Sequence, residues 1–398
     1  MSHTSILSDD STIHNFISKL HLPLYFSRPV IRHITDFIAG ATQKGYRGKV
    51  TDLVELSYAS CHRTSLGHFL AKGAWNESYL WKSMKTQVLR AIGSIAKHTA
   101  SPTFAIYDDT IAKKTKPSSQ AIHPIEATDF HFSHLECKTV WGHQLLCAVL
   151  SCGSLTLPYH LEHYTKESTS KIDKVCQIAD SLPIATGPAY ALCDSWFTCR
   201  KVIDAHYKKG YHLIGGLKAN RIIYPQGIRI TIKDFASYIA KNDVHLVTVN
   251  RQRYWVYRYE GALHDVDNAV VLFCWPQDAF LNPKAMRCFL CTDVSLDTST
   301  ILNYYSNRWP IETFFRQTKG PLAINNYQVR HLTAIKRFWV LTVLTYLFCV
   351  IGNLVISPFA NGLSDARKTM KTTVFKWVYT QAQAGVPLSQ VLLRLKAM

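Results

Sequence analysis

Residues 303–319 read Asn-Tyr-Tyr-Ser-Asn-Arg-Trp-Pro-Ile-Glu-Thr-Phe-Phe-Arg-Gln-Thr-Lys. Polar side chains recur in this segment at intervals of three, four, four and three residues: Tyr305, Arg308, Glu312, Arg316 and Lys319. At 3.6 residues per turn, this spacing predicts one stripe along a helix, which Pro310 would kink near its start. A carboxylate among three cations and a phenol suits a site where the acid binds a metal ion and the cations bind phosphate oxygens.

Two aspartates elsewhere in the chain follow apolar runs that predict β-strands. Asp108 comes directly after Phe104-Ala-Ile-Tyr107, and Asp194 comes directly after Tyr190-Ala-Leu-Cys193. Because strand ends in an α/β sheet meet at a common edge, these two carboxylates can converge. A single aspartate at the end of a strand is more often a helix cap or a turn residue than a catalytic residue. The prediction of a catalytic site therefore depends on Asp108 and Asp194 being combined with Glu312.

The motifs resemble those of a known family. The pattern Tyr305-x2-Arg308-x3-Glu312-x6-Lys319 resembles the Y-R-E-K signature of the IS-four superfamily of bacterial DDE transposases, and Ala105-Ile-Tyr-Asp-Asp-Thr110 and Ala191-Leu-Cys-Asp-Ser195 resemble its two aspartate motifs. Adjacent strand residues face opposite ways, so only one of Asp108 and Asp109 should reach the metals. Alignment with the family motif selects Asp108.

The resemblance implies an RNase H-like core in which Asp108, Asp194 and Glu312 are the catalytic residues and bind two Mg²⁺ ions, with Mn²⁺ as a substitute. Two such ions, about 3.5–4 Å apart, activate a nucleophile and stabilise the leaving oxygen at phosphorus. Carboxylates and waters suit Mg²⁺. By similarity, the DNA backbone near the cleaved strand would be contacted by Tyr305, Arg308 and Lys319, together with Arg316 from the same stripe.

The charge balance favours a polyanionic partner. The chain carries 45 Lys and Arg against 27 Asp and Glu, a formal charge of +18. Residues 1–100 hold 12 basic and 6 acidic side chains, and residues 321–398 hold 9 basic side chains and only Asp365 as an acid. The excess of positive charge therefore lies mainly in the two flanks, which predicts that catalysis occurs in the middle of the chain and that the ends bind DNA. The alternative is a generally basic surface that serves only solubility.

The predicted fold class is α/β: an RNase H-like mixed-sheet core with a β-rich insertion, a helical N-terminal DNA-binding domain and a helical C-terminal region. The predicted boundaries are 1–100 for the N-terminal domain, 101–220 and 296–357 for the two parts of the core, 221–295 for the insertion, and 358–398 for a basic C-terminal region. Two short helices around Cys61-His-Arg-Thr64 are a candidate helix-turn-helix, with Arg63 and His68 as candidate DNA contacts.

Composition argues against secretion and against membrane anchoring. The eleven cysteines are scattered, and the single CxxC, Cys288 and Cys291, lies in an apolar run, which predicts buried thiols in a reducing compartment. The first ten residues lack a basic region followed by an apolar one. Residues 338–356 carry no charge and could span a bilayer, but Thr342, Thr345 and the following Ser-Pro favour a buried core helix.

Three functions stay open from the sequence. The favoured one is a cytoplasmic, nucleoid-associated transposase that binds the terminal inverted repeats of its own element, cuts with a two-metal site and joins the ends to target DNA as a homodimer. The alternatives are a Mg²⁺-dependent nuclease without strand transfer and a transposase-derived DNA-binding regulator.

Zinc binding by His123, His131, His134 and His143 is disfavoured because no finger spacing is present. Tyr254, Trp255 and Tyr257 could stack on a base, but core packing is favoured for them.

Overall fold

The structure is a computed structural model that describes residues 11–58, 62–133, 136–167, 169–352 and 355–397. The first ten residues, Cys61 and His134, which entered the predictions above, lie outside these ranges.

The helices lie mainly at the two ends of the chain. They are α1 (Ser11–Lys19), α2 (Arg28–Thr42), α3 (Val50–Ser57), α4 (Arg63–Lys72), α5 (Glu77–Thr99), α6 (Lys171–Asp180), α7 (Arg200–Tyr207), α8 (Ile232–Phe235), α9 (Thr298–Ser306), α10 (Trp309–Lys319), α11 (Leu332–Ile351), α12 (Phe359–Gln383) and α13 (Leu388–Ala397). The predicted helical character of residues 12–100 is confirmed.

The strands occupy the middle of the chain. They are β1 (Thr103–Lys113), β2 (Asp129–Ser133), β3 (Lys138–Cys152), β4 (Leu155–Tyr164), β5 (Ala189–Cys193), β6 (His212–Leu217), β7 (Ile222–Ile223), β8 (Ile230–Thr231), β9 (His245–Val249), β10 (Gln252–Leu263), β11 (Val266–Pro276) and β12 (Arg287–Cys291). Within the described residues, these twelve strands form one mixed sheet. The predicted α/β class is confirmed.

The first half of the sheet has an order consistent with an RNase H-like core. Its strands run β4-β3-β1-β5-β6, with β3 antiparallel to its neighbours and β1, β5 and β6 mutually parallel. Residues 104–107 of β1 and all of β5 are buried, because helices cover both faces of a parallel sheet. The parallel strands therefore end at one common edge, where ligands bind in open α/β sheets.

The β-rich segment 221–295 continues the same sheet. Strand β12 pairs antiparallel with β6, and β11 and β10 follow in order. Strand β8 is only two residues long, because the Thr231 hydroxyl accepts from the amide of Asp234 at 3.1 Å and caps α8. Cys288 and Cys291 lie buried on β12 as predicted, and every cysteine in the described ranges is a free thiol.

Helix α11 joins the N-terminal helices to the sheet. It contacts α2, α4, α5, α12 and β4. Among the described residues, it is the one helix long and apolar enough to cross a membrane, and 94% of its most apolar window is buried inside the protein. The prediction of a core helix is therefore confirmed.

Candidate active site

Asp108 lies just beyond the parallel part of the sheet. The prediction that the strand ends at Tyr107 is wrong, since β1 continues to Lys113 by pairing with β3. The parallel ladder with β5, however, ends at the pair Ile106 and Leu192. Asp108 therefore stands two residues past that pair, at the edge where β5 also ends. One of its oxygens accepts from the amide of Asp109 at 2.8 Å.

Asp194 directly follows β5, as predicted. Its Oδ1 accepts from the amides of Trp196 at 2.9 Å and Phe197 at 3.3 Å, so the carboxylate closes a tight turn. The neighbouring strand contributes Gly216, where a Cβ atom would lie 3.1 Å from the amide nitrogen of Ser195 and 3.3 Å from the Tyr305 hydroxyl oxygen. The missing side chain allows β6, the turn and the tyrosine to approach closely.

The prediction of a single helix over residues 303–319 is wrong, because this segment forms parts of two helices. Helix α9 ends at Ser306 and α10 begins at Trp309, with Asn307 and Arg308 between them. Pro310 causes the break: it fits the first turn of α10, where an amide would have no partner, but it cannot continue a helix from α9. The stripe is thus divided, and Arg308 stands at the junction rather than within a helix.

Arg308 links two of the predicted catalytic carboxylates. Its Nη1 donates to Asp108 Oδ2 at 2.8 Å, and its Nη2 donates to Glu312 Oε1 at 2.5 Å. Burial is the largest single effect and lowers the pKa of the Arg308 guanidinium, but Asp108, Tyr305 and Glu312 together raise this pKa above its usual value. One cation therefore neutralises two acids that come from opposite ends of the core.

Burial raises the pKa of Asp108 to about 6. Arg308 and the Asp109 amide lower this pKa, whereas the negative charges of Asp194 and Asp109 raise it. Asp194 is therefore near enough to Asp108 to repel it electrostatically. The site gathers negative charge that requires a cation for balance.

The other members of the stripe differ in their surroundings. Burial raises the pKa of Tyr305 to about 12, and its ring packs on Phe289 with centroids 4.6 Å apart. Lys319 Nζ donates to Thr110 Oγ1 at 2.5 Å, so this cation lies beside β1, and burial lowers its pKa. Arg316 is exposed on α10.

Asp109 faces other partners than Asp108 does. Its Oδ2 accepts from Lys171 Nζ at 2.5 Å and its Oδ1 accepts from Gln144 Nε2 at 3.0 Å. The side chains of Asp108 and Asp109 thus have different partners, as expected from the alternation of side chains along a strand. Asp108 turns to Arg308, and Asp109 turns to α6 and β3.

The predicted N-terminal DNA contacts lie apart from the carboxylates. Arg63 and His68 are exposed on α4, and in the described part of the chain neither contacts Asp108, Asp194 or Glu312. Their assignment as DNA contacts stays a prediction.

The three carboxylates fit Mg²⁺ by their chemistry. Oxygen donors are the ligands that Mg²⁺ takes, and the charge around Asp108 requires a cation. The guanidinium of Arg308 stands between Asp108 and Glu312, and in the described ranges no three His, Cys, Asp or Glu side chains come close enough to hold one ion. Arg308 therefore occupies one oxygen of Asp108 and one oxygen of Glu312 in this structure.

The disfavoured zinc site is not formed by the described histidines. His143 is engaged on both ring nitrogens, by the Tyr327 hydroxyl at 2.6 Å and the Glu126 carbonyl at 2.8 Å. His131 is buried, and His134 lies outside the described residues.

The aromatic residues of the insertion pack against neighbouring rings, as favoured. Trp255 packs on Phe280 with ring centroids 6.0 Å apart, and Tyr257 packs on Phe235 with centroids 5.6 Å apart. A different aromatic residue, Trp196, was not predicted from the sequence; it is exposed two residues after Asp194. Its place two residues after a candidate catalytic aspartate was the available signal.

Comparison with known families identifies the domain that carries this arrangement. The family described as "Transposase DDE domain" matches residues 100–348, well over half of the 398-residue chain. No curated protein matches the chain. The matched range contains Asp108, Asp194 and Glu312, as well as the whole sheet. The chain therefore belongs to the transposase DDE domain family.

Proposed function

We propose that the protein is a DNA transposase of the IS-four superfamily that binds the terminal inverted repeats of its own element, cuts them and joins the ends to target DNA. The observation that carries the proposal is the contact of Arg308 with both Asp108 and Glu312, beside Asp194, at the edge of the sheet. Two acids from distant parts of the sequence meet there around one cation, which itself lies 200 positions from Asp108. The family supports metal-dependent chemistry on DNA.

Asp108, Asp194 and Glu312 would hold Mg²⁺, with Mn²⁺ as a substitute. When bound, Mg²⁺ supplies Lewis-acid activation of water or a 3′-hydroxyl for in-line attack at phosphorus. The chain's own residues prepare the site: the carboxylates of Asp194 and Asp109 lie near enough to Asp108 to raise its pKa, and Gly216 admits the turn that bears Asp194.

The cations beside the carboxylates would bind the DNA backbone. Arg308, once displaced from an acid, presents a guanidinium fork that matches phosphate oxygens. Lys319 lies next to β1, and Arg316 is exposed on the same helix. Tyr305 is half-buried and packs on Phe289, and its hydroxyl lies close to the backbone of Gly216. Its proposed contact with DNA is therefore made by this hydroxyl alone.

The basic flanks would hold the duplex outside the site. We assign Arg63 and His68 on α4 to the terminal repeats because both are exposed. Helix α12 exposes Phe375 and Tyr379 near Lys371 and Lys376, which suits a second DNA-binding surface. Two ends must be held together for transposition, so we propose a homodimer on DNA, acting in the cytoplasm at the nucleoid.

The test is incubation of purified protein with labelled DNA that carries the ends flanking its own gene, in Mg²⁺ or in EDTA. We expect cuts at the element boundary in Mg²⁺ only, and none with Glu312→Gln, which should still bind the DNA. Glu55→Gln, on the exposed side of α3, is the matched control and should cut normally.

A second assay separates transposition from simple cleavage. Pre-cut ends are mixed with a supercoiled plasmid, and covalent joining of the 3′-hydroxyl end is scored. Cutting without joining would favour the nuclease, and tight binding without cutting in any metal would favour the regulator. Cutting by Glu312→Gln would exclude the assigned carboxylates.

A further inference from the structure

A basic cavity of about 680 Å³ lies beyond the end of β1, between the loop that joins β1 to β2 and the segment that joins α10 to α11. Three cationic side chains line it, together with a histidine and neutral polar residues: Lys114, Lys116, Arg330, His123, Ser118 and Gln328. We propose that this cavity binds a phosphate group, supplied by the DNA backbone about six nucleotides from the phosphate that is cut. This inference rests on the proposed function and adds a second binding site for its substrate.

The charge of the cavity is positive and uncompensated. No Asp or Glu from the described part of the chain lines it. Glu126 lies next to the lining in sequence, but its oxygens are engaged at the start of α11, where they accept from the Leu332 amide at 2.6 Å and pair with His331 at 3.0 Å. An anion that enters the cavity would therefore meet cations and neutral donors without a competing carboxylate.

Lys114 places a fixed positive charge in the wall of the cavity. Its Nζ donates to the carbonyls of Asn325 at 2.7 Å and Tyr327 at 2.8 Å, and it lies 3.4 Å from the centroid of the Tyr327 ring. Burial lowers the pKa of Lys114 to about 8, and no charge in the described residues offsets this effect. A phosphate in the cavity would supply the missing negative charge.

Lys116 and Arg330 are exposed and would contact the phosphate directly. Lys116 Nζ lies 5.1 Å from the ring centroid of Phe130 and 5.9 Å from that of Trp141, so aromatic rings position this cation. Arg330 Nη1 donates to the His123 carbonyl at 2.5 Å. This bond uses a single N–H of the guanidinium fork, and the described residues place no acceptor at the others, which can therefore bind phosphate oxygens.

Hydrogen bonds hold the two walls of the cavity together. The Glu126 amide donates to the Arg330 carbonyl at 3.0 Å, in addition to the bonds of Arg330 and Lys114 across the same boundary. The cations are thus gathered before a ligand arrives, so binding costs little rearrangement.

The cavity lies in line with the candidate active site along β1. Lys114 is six positions after Asp108, and its amide donates to the Trp141 carbonyl at 2.8 Å, so the pairing with β3 continues to this point. Six residues of strand span about 20 Å. A DNA duplex advances about 3.4 Å per nucleotide of one strand, so a backbone that follows β1 reaches the cavity about six nucleotides from the cut. Lys319, which contacts Thr110, lies between these two points.

The first experiment measures binding of the full chain to inorganic pyrophosphate in EDTA by calorimetry. Lys116→Gln and Arg330→Gln should each weaken this binding by about tenfold, because each removes a charged hydrogen-bond donor. Lys208→Gln removes the same charge as Lys116→Gln at an exposed position after α7, near the start of β6, and should bind as wild type does. Because Lys116 and Arg330 are exposed, both variants should fold, and their thermal unfolding is measured alongside.

The second experiment measures binding to duplexes of the element ends in EDTA, each with one neutral methylphosphonate linkage. Wild type should lose affinity for the duplex in which this linkage lies about six nucleotides from the element boundary. Lys116→Gln should lose less at that linkage, and on the unmodified duplex its slope of log K against log salt should be shallower by about 0.9.

Unchanged affinity of Lys116→Gln and Arg330→Gln for both pyrophosphate and DNA would overturn the inference. Weaker pyrophosphate binding with unchanged DNA binding would overturn the assignment to the DNA backbone and assign the cavity to a free phosphate compound. Because both experiments are done without metal, the expected losses would support the inference even if wild type failed to cut DNA. Its failure and that of the proposed function are therefore distinguishable.

Discussion

Arg308 donates to Asp108 at 2.8 Å across 200 positions of the chain. The same guanidinium reaches Glu312 from the junction of α9 and α10. In the absence of metal, the positive charge of Arg308 compensates the negative charges of Asp108 and Glu312. In the proposed site, metal ions and Arg308 would compete for the same carboxylate oxygens, and this competition would have measurable consequences.

Replacing Arg308 with glutamine should destabilise the metal-free protein and increase its response to Mg²⁺. Loss of hydrogen bonds between charged, partly buried groups typically costs about 1–3 kcal/mol. Mg²⁺ should then raise the melting temperature more for Arg308→Gln than for wild type, because no guanidinium has to be displaced. Thermal unfolding in EDTA and in Mg²⁺ measures both effects.

Arg316→Gln is the matched control for this prediction, since Arg316 is exposed on α10. Its melting temperature should match that of wild type with and without metal. If Mg²⁺ stabilised Arg308→Gln no more than wild type, competition between the metal and Arg308 would be refuted.

The adjacent aspartates should respond differently to the same substitution. Asp108→Asn should abolish metal-dependent cutting, because a proposed metal ligand loses its charge. Asp109→Asn should still cut, with stability reduced by about 1–3 kcal/mol through loss of the Lys171 contact. Cleavage assays and urea unfolding of both variants provide the comparison. Loss of cutting with Asp109→Asn alone would reverse the assignment.

His206 should make stability fall at acidic pH. The Val202 carbonyl accepts from its Nδ1 at 2.8 Å, so its Nε2 accepts from the Tyr107 hydroxyl at 2.8 Å, and burial lowers the pKa of His206 to about 4. Between pH 6.5 and 4 the unfolded chain binds more protons than the folded one. The contribution of His206 to the free energy of unfolding is therefore complete above pH 6.5. It is lost as the pH falls to 4, and the loss amounts to about 3 kcal/mol.

Urea unfolding at several pH values checks the histidine prediction. His206→Gln should be less stable at neutral pH, and its stability should decline less steeply below pH 6.5. His245→Gln, at an exposed position of β9, should keep the wild-type slope. Equal slopes for wild type and His206→Gln would show that another group controls the acid response.

Arg337 should anchor the N-terminal helices to α11. Its side chain is 8% exposed and donates to the carbonyls of Phe69 at 3.3 Å and Trp75 at 2.5 Å, and it pairs with Glu77 at 3.3 Å. Arg337→Met removes these hydrogen bonds and leaves Glu77 without its cationic partner, and it should lower the free energy of unfolding by about 3–5 kcal/mol. Urea denaturation measures the loss. Lys336→Met, at the exposed neighbouring position, should change it little.

Sequence alone determined the features that depend on local pattern. Apolar runs predicted the strand that contains Asp108 and the strand that Asp194 follows, because strand propensity is a property of a few consecutive residues. The uncharged run within α11 predicted a buried helix for the same reason. The spacing of Tyr305, Arg308 and Glu312 indicated a functional segment before any contact was known, although the assignment of the catalytic carboxylates stays a prediction.

Tertiary structure decided which of these groups meet. Strand β1 extends to Lys113 because β3 pairs with it along its length, and no local pattern contains that partner. Arg308 reaches Asp108 only because Pro310 ends one helix and starts another at the sheet edge. The ring of Trp196 lies near lysines from α6 and the end of β6. Contacts between residues distant in sequence depend on packing of the whole sheet, which short-range periodicity does not encode.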